Sequence, residues 1–253
     1  MSAEPELTPK PPQAADMAQA GAAPLAGAGL YGKHPGYGDF LAAGLVRSAE
    51  EVLIPWLTQT LGQMREALGD GWAGVFDNAP PLRFWIGSGV AGPSGLRGAL
   101  RPSRDSVGRR FPLMLVAPCP DGHPPVLSPD AAFFDAAEAQ LAALSEGPMP
   151  PARDVVAGFG AAETQGAGES ASFWAVNDTM PSDALLPSLV AAELRAAASR
   201  RSYWWVDGGE GRGRPSVMLA GPAMPDADAL IWIMGGQRGA GVAADSASPF
   251  DEG

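Results

Sequence analysis

Ser202-Tyr-Trp-Trp-Val206 runs into the turn residues Asp207-Gly-Gly209, and after a polar, glycine-rich stretch up to Pro215 the chain resumes as Ser216-Val-Met-Leu-Ala220. Two apolar runs, the first rich in aromatics, on either side of a glycine turn predict an antiparallel hairpin with a long loop. The first run carries a further constraint. Side chains alternate along a strand, so Trp204 and Trp205 point to opposite faces. A sheet covered on one side would leave one indole in water, so a second layer of structure or a partner must meet it.

Outward from this hairpin, strand and helix signals are mixed. Leu82-Arg-Phe-Trp-Ile86 alternates as a half-buried strand, residues 111–117 read as a more fully buried one, and Ser172-Phe-Trp-Ala-Val176 reads as another. Ser48-Ala-Glu-Glu51 has the spacing of a capping box, and Pro55 kinks or restarts the helix it opens. Leu57, Leu61, Met64 and Leu68 then share one face, with Gly69 as C-terminal cap. Ser128-Pro129 is placed to open a second helix, with Phe134, Ala137, Leu141 and Leu144 on its inner face. A third helix is expected from about Pro187 to Ala198. Helices and strands do not alternate strictly. The expected class is therefore α/β of the α+β kind, a mainly antiparallel sheet flanked by helices.

Composition narrows the function classes. The chain has 253 residues, a net charge of −11 and one cysteine, Cys119, so no intrachain disulfide can form and a reducing, cytoplasmic setting is expected. The N-terminus is acidic and lacks an apolar core for a secretory signal, and no run reaches the ~18 apolar residues of a membrane span. Excess negative charge opposes nucleic acid and anionic membranes. One local exception stands out: Arg97, Arg101, Arg104, Arg109 and Arg110 fall close together and form a candidate basic patch. Residues 1–29 and 235–253 lack apolar periodicity and are expected to be disordered tails around a folded segment 30–234.

No reactive cluster is legible. Gly27-Ala-Gly-Leu-Tyr-Gly-Lys33 matches the glycine and lysine positions of a phosphate loop, which keeps a nucleotide-binding enzyme as an alternative. Its flanks argue against it, because Pro35 disfavours the helix that would have to follow and His34 stands where a hydroxyl should hold magnesium. With two histidines, His34 and His123, and no Gly-x-Ser-x-Gly, neither a metal centre nor a serine hydrolase site is indicated, and no catalytic or cofactor residue is assigned. Gly36, Gly38 and Asp39 read as a tight turn in which glycine allows positive φ and Asp39 bonds nearby amides or pairs with Arg104 or Arg109. Asp105-Ser-Val-Gly-Arg109 reads as a second turn, ordering the strand at Phe111.

Three segments carry a resemblance. Gly32, Lys33, Pro35, Gly38, Asp39 and Phe40 fit a Gly-Lys-x-Pro-x-x-Gly-Asp-Phe pattern. Pro102, Ser103, Asp105, Val107, Gly108, Arg109, Phe111 and Pro112 fit Pro-Ser-x-Asp-x-Val-Gly-Arg-x-Phe-Pro, while Ser202, Trp204 and Trp205 fit Ser-x-Trp-Trp. In this order they resemble the TagF family of type VI secretion accessory proteins, together with Trp56-Leu57 and Arg83-Phe84. The resemblance implies a profilin-like or longin-like module without catalysis or cofactor. It also implies a cytoplasmic, post-translational repressor of type VI secretion that engages the forkhead-associated scaffold protein. A structural adaptor of the apparatus is the other non-enzymatic alternative. On this reading Arg104, Arg109 and one outward-facing indole of the Trp204-Trp205 pair contribute to scaffold binding, with Asp39 holding the neighbouring turn.

Overall fold

The computed structural model describes residues 27–92, 95–119, 124–126, 130–146, 194, 196–208 and 213–235. Among them, β1 (Gly29–Gly32), β2 (Leu41–Ala43), β3 (Leu82–Ile86), β4 (Leu96–Arg101), β5 (Leu113–Pro118), β6 (Ser202–Val206) and β7 (Val217–Gly221) form one sheet in the order β2-β1-β5-β4-β3-β6-β7. Every neighbouring pair is antiparallel, and the β6–β7 hairpin has Trp204 opposite Leu219. Among the described residues, α1 (Ile54–Leu68), α2 (Trp72–Asp77), α3 (Ser88–Ala91), α4 (Ala131–Glu146) and α5 (Ala227–Gly235) accompany the sheet. Leu57, Leu61 and Met64 of α1 pack with Phe76 of α2, Leu230 of α5 and the sheet residues Phe84 and Met114. Phe133, Ala137 and Leu141 of α4 pack with Leu30, Leu113 and Leu115 on the opposite face. The sheet is thus covered on both sides.

Two-sided cover settles the tryptophan question. Trp204 is fully buried, with ring centroids 5.2 Å from Phe84 and 4.8 Å from Trp56 on the α1 side. Trp205 is 8% exposed and meets Phe134 of α4 edge-on at 4.6 Å. Neither faces outward, which corrects the expectation of an indole left for a partner. At about 25 cal/mol per Å², an indole of ~200 Å² contributes up to ~5 kcal/mol on burial, an upper bound set by the extended-chain reference. For the same reason β3 is buried at every position rather than at alternate ones.

Two-sided burial forces Arg83, in the middle of β3, to find partners. Its guanidinium reaches Glu138 at 2.6 Å and Asp135 at 2.8 Å on α4, and Asp207 just beyond β6 at 3.0 Å.

The start of the first long helix differs from expectation. The Val46 carbonyl already accepts the amides of Ala49 and Glu50 at 2.9 and 3.3 Å, so Ser48 lies inside the helical path (φ −60°, ψ −33°). Ser48 makes no side-chain capping bond, and Glu51 instead accepts from Arg47 one turn back at 2.8 Å. A single wide turn over Ala49–Leu53 follows, with Pro55 in the first turn of α1. Gly69 closes α1 as expected, at φ 50° and with its amide donating to the Arg65 carbonyl. At the start of α4, Asp130 Oδ1 accepts the Phe133 amide at 3.2 Å; Ser128 and Pro129 lie outside the described residues. So does the strand expected at Ser172–Val176, and of the helix expected up to Ala198 only Leu194 and residues 196–198 are described, as helix. Ala28 is fully buried and Gly29 opens β1, so the folded chain includes the last residues of the segment expected as a tail, and α5 extends to Gly235.

Candidate functional site

The segment that resembled a phosphate loop contains an interior strand of the sheet. Gly29–Gly32 is hydrogen-bonded between β2 and β5, and beyond Lys33 the chain turns, with the Tyr37 amide on the His34 carbonyl at 3.0 Å. No helix opens there to offer its amides to a phosphate. Gly32 serves the packing instead. It holds φ +135°, and a Cβ on it would lie 2.0 Å from the Pro112 carbonyl oxygen.

Lys33 turns inward. Its Nζ lies 2.7 Å from Asp105 Oδ2, with 8% of the lysine side chain and none of the aspartate side chain exposed. Asp105 also accepts from the Arg109 guanidinium Nε at 2.6 Å and from the amides of Val107 and Arg109 at 3.1 and 2.8 Å. Burial, the largest single influence, disfavours its charge. The bonds from Lys33, the Arg109 amide, the Arg109 side chain and the Val107 amide outweigh it and hold the carboxyl well below the usual carboxylate range. Gly108, at φ +85°, completes the turn around this fixed anion.

Further bonds tie the two loops into one unit. Arg109 Nη2 donates to the Gly38 carbonyl at 2.6 Å, and the Ser106 amide donates to the Tyr37 carbonyl at 2.9 Å. His34 Nδ1 accepts the Gly36 amide at 3.0 Å while Nε2 lies 2.7 Å from the Leu144 carbonyl, which assigns the neutral tautomer with hydrogen on Nε2. That bond anchors the first loop to α4. Phe40 stacks on Tyr31 at 5.3 Å, meets Phe111 edge-on at 4.9 Å, and has the Lys33 ammonium 5.0 Å from its ring centre.

Several sequence assignments change. Positive φ falls on Gly32 and Gly108, not on Gly36 or Gly38. Asp39 locks its own turn by accepting the Phe40 amide at 2.8 Å, whereas Arg104 meets Asp77 at 3.4 Å and Arg109 meets Asp105. The structure thus places Gly32, Lys33, Asp105 and Gly108 in the scaffold of the junction. It leaves Pro35, Gly38, Asp39, Phe40, Arg104 and Arg109 at its surface. Trp204 and Trp205 belong to the core. Arg97 leaves the expected basic patch, pairing with Asp130 and lying 4.0 Å over the Phe133 ring on the α4 face. Sequence reasoning missed Asp77, which receives Arg110 through two bonds of 2.8 Å as well as Arg104; nothing in its local pattern marks it. Val107 enters the sequence reading only as part of the family pattern, although an aliphatic residue inside a polar turn is a signal of its own. Among the described residues no group of three or more His, Cys, Asp or Glu could hold a metal ion, and no helix is long and apolar enough to cross a membrane.

Comparison with known proteins bears on the family and the fold. Residues 29–154 match the TagF N-terminal domain, described as type VI secretion system-associated. The crystal structure of PA0076 from Pseudomonas aeruginosa PAO1 is similar with a TM-score of 0.63 and 25% identity, covering 84% of this chain and 96% of that one. No match was found among the curated proteins. The matched stretch holds both loops of the junction and the β3 arginine, while the Trp204-Trp205 segment lies beyond it. Through residues 29–154 the chain belongs to the TagF family of type VI secretion-associated proteins.

Proposed function

We propose that the chain is a non-catalytic regulator that represses type VI secretion after translation by engaging the forkhead-associated scaffold protein of the apparatus in the cytoplasm. The family membership supports the setting, and the closed Lys33–Asp105 pair is the observation that favours a binding role over chemistry. A lysine and a carboxylate facing each other inside the fold are occupied by each other, and both ring nitrogens of His34 are engaged. Lys33, Asp105 and His34 are thus spent on holding two loops in a fixed arrangement. A rigid surface is what a protein partner rewards, because little conformational entropy remains to be lost on docking.

Deleting the gene is expected to raise secretion of a type VI substrate with apparatus transcripts unchanged, and the purified chain is expected to retain the scaffold protein. Unchanged secretion after deletion, or no retention of the scaffold, contradicts the reading.

A further inference from the structure

The junction of residues 33–40 with residues 104–110 presents a surface whose sign differs from that of the whole chain. Once Lys33 and Asp105 are closed off together inside, this end of the sheet carries Arg101, Arg104, Arg109 and Arg110 against the carboxylates of Asp39 and Asp77, on a protein of net charge −11. Beside the arginines stand two large apolar side chains in water, Phe40 at 41% and Val107 at 71% exposure. Single exposed apolar residues are ordinary on a soluble protein. These two, however, ride on loops fixed by the Arg109–Gly38, Ser106–Tyr37 and Asp105–Val107 bonds, so the surface is ordered before any partner arrives.

The charge state of the arginines defines the complementary group. Arg109 already gives Nε to Asp105 and Nη2 to the Gly38 carbonyl, and Arg104 has Asp77 at 3.4 Å, so each is partly neutralised. What remains suits a singly charged carboxylate better than a phosphate dianion. A nucleic acid would feel the repulsion of the whole acidic chain, whereas a short peptide segment is governed by charges within the ~8 Å screening length.

We infer that the outward surface bearing Phe40, Arg104, Val107 and Arg109 docks an acidic segment of the scaffold protein, its carboxylates on the arginines and a bulky apolar side chain against Phe40 and Val107. The identity of the partner rests on the function proposed above; the location and chemistry of the contact do not. Arg104 and Val107 are the informative positions, since Arg104 makes one long ion pair and the Val107 side chain is mostly in water.

The test measures the affinity of the full chain for the purified forkhead-associated scaffold protein by titration calorimetry, with melting temperature as the control for folding. Arg104→Glu and Val107→Asp are each expected to weaken binding at least about tenfold with a cooperative melting transition retained, and wild-type affinity is expected to fall steeply between about 50 and about 500 mM salt. Met218→Ala, exposed on the distant edge strand β7, is expected to bind as wild type. Wild-type affinity in both junction variants, with the scaffold still bound, overturns the surface and leaves the proposed function standing. Failure of the wild-type chain to bind the scaffold overturns both. Phosphatase treatment of the scaffold distinguishes the ligand chemistry, since lost binding would make phosphate, not carboxylate, the recognised group.

Discussion

Lys33 and Asp105 stand 72 residues apart in sequence and 2.7 Å apart in space, and their contact joins the loop after β1 to the loop before β5. Lys33→Ala is expected to destabilise the fold rather than leave it intact, because Asp105 keeps its burial and loses one of its charge-bearing donors. The pH dependence has a definite sign. A carboxyl whose folded pKa lies below its unfolded value of ~3.9 contributes stability in full above that value and loses it as pH falls through the folded pKa. Asp77 is lowered as well, by the hydrogen bond from Arg110, with burial opposing it and the charges of Arg110 and Arg104 assisting. Acid unfolding followed by tryptophan fluorescence should therefore occur at higher pH in Lys33→Ala than in wild type. Equal acid midpoints would contradict the role given to the pair.

Gly32 and Gly38 sit in one motif yet answer to different constraints. A Cβ at Gly32 meets the Pro112 carbonyl oxygen at 2.0 Å with φ at +135°, and the obstacle is backbone that cannot move aside. Gly32→Ala is expected to cost about 2–4 kcal/mol by denaturant titration. At Gly38 the nearest atom is Ser106 Oγ at 3.5 Å, an ordinary contact, so Gly38→Ala is expected to stay within about 0.5 kcal/mol.

The tryptophan pair should behave as core on both faces. Trp204→Ala and Trp205→Ala are each expected to cost about 3–5 kcal/mol. The scaffold affinity of whatever fraction remains folded should be that of wild type, since neither indole reaches the surface. A variant that melted normally but lost binding would restore the partner role that the buried positions argue against.

What could be read in the sequence follows from where the information is local. The β6–β7 hairpin, α1 with its glycine stop and the inner face of α4 were legible because apolar spacing and turn chemistry lie within each segment. β1 and β4 were not, because their glycines answer to distant neighbours. Gly98 in β4 lets the Phe84 ring and the Leu115 carbonyl approach, where a Cβ would lie 2.5 Å from the ring and 2.1 Å from the oxygen, so the strand sacrifices propensity for cross-strand packing. The motif residues at the junction could be found, but not their roles. Lys33, Asp105 and Asp77 acquire their partners from elements 72, 72 and 33 residues away, and no local pattern contains that pairing.

Arg83 supplies a last test, because it carries the most burdened charge in the sheet. Its side chain is 5% exposed and links β3 to Glu138 and Asp135 on α4 and to Asp207 after β6. Arg83→Lys keeps the charge but loses the planar fork that reaches carboxylates in different directions, so the change is not conservative here. A cost of about 2–4 kcal/mol is expected. Arg83→Met keeps the stem packed beneath α4 and removes the cation that Glu138, whose side chain is 12% exposed, meets at 2.6 Å. Adding Glu138→Gln to Arg83→Met should recover part of that loss, because an amide tolerates the position without a counter-charge. A double-mutant cycle by urea denaturation reads the coupling directly: additivity of the two changes would show that Arg83 gains nothing from Glu138, whereas recovery identifies that ion pair as part of what holds α4 to the sheet.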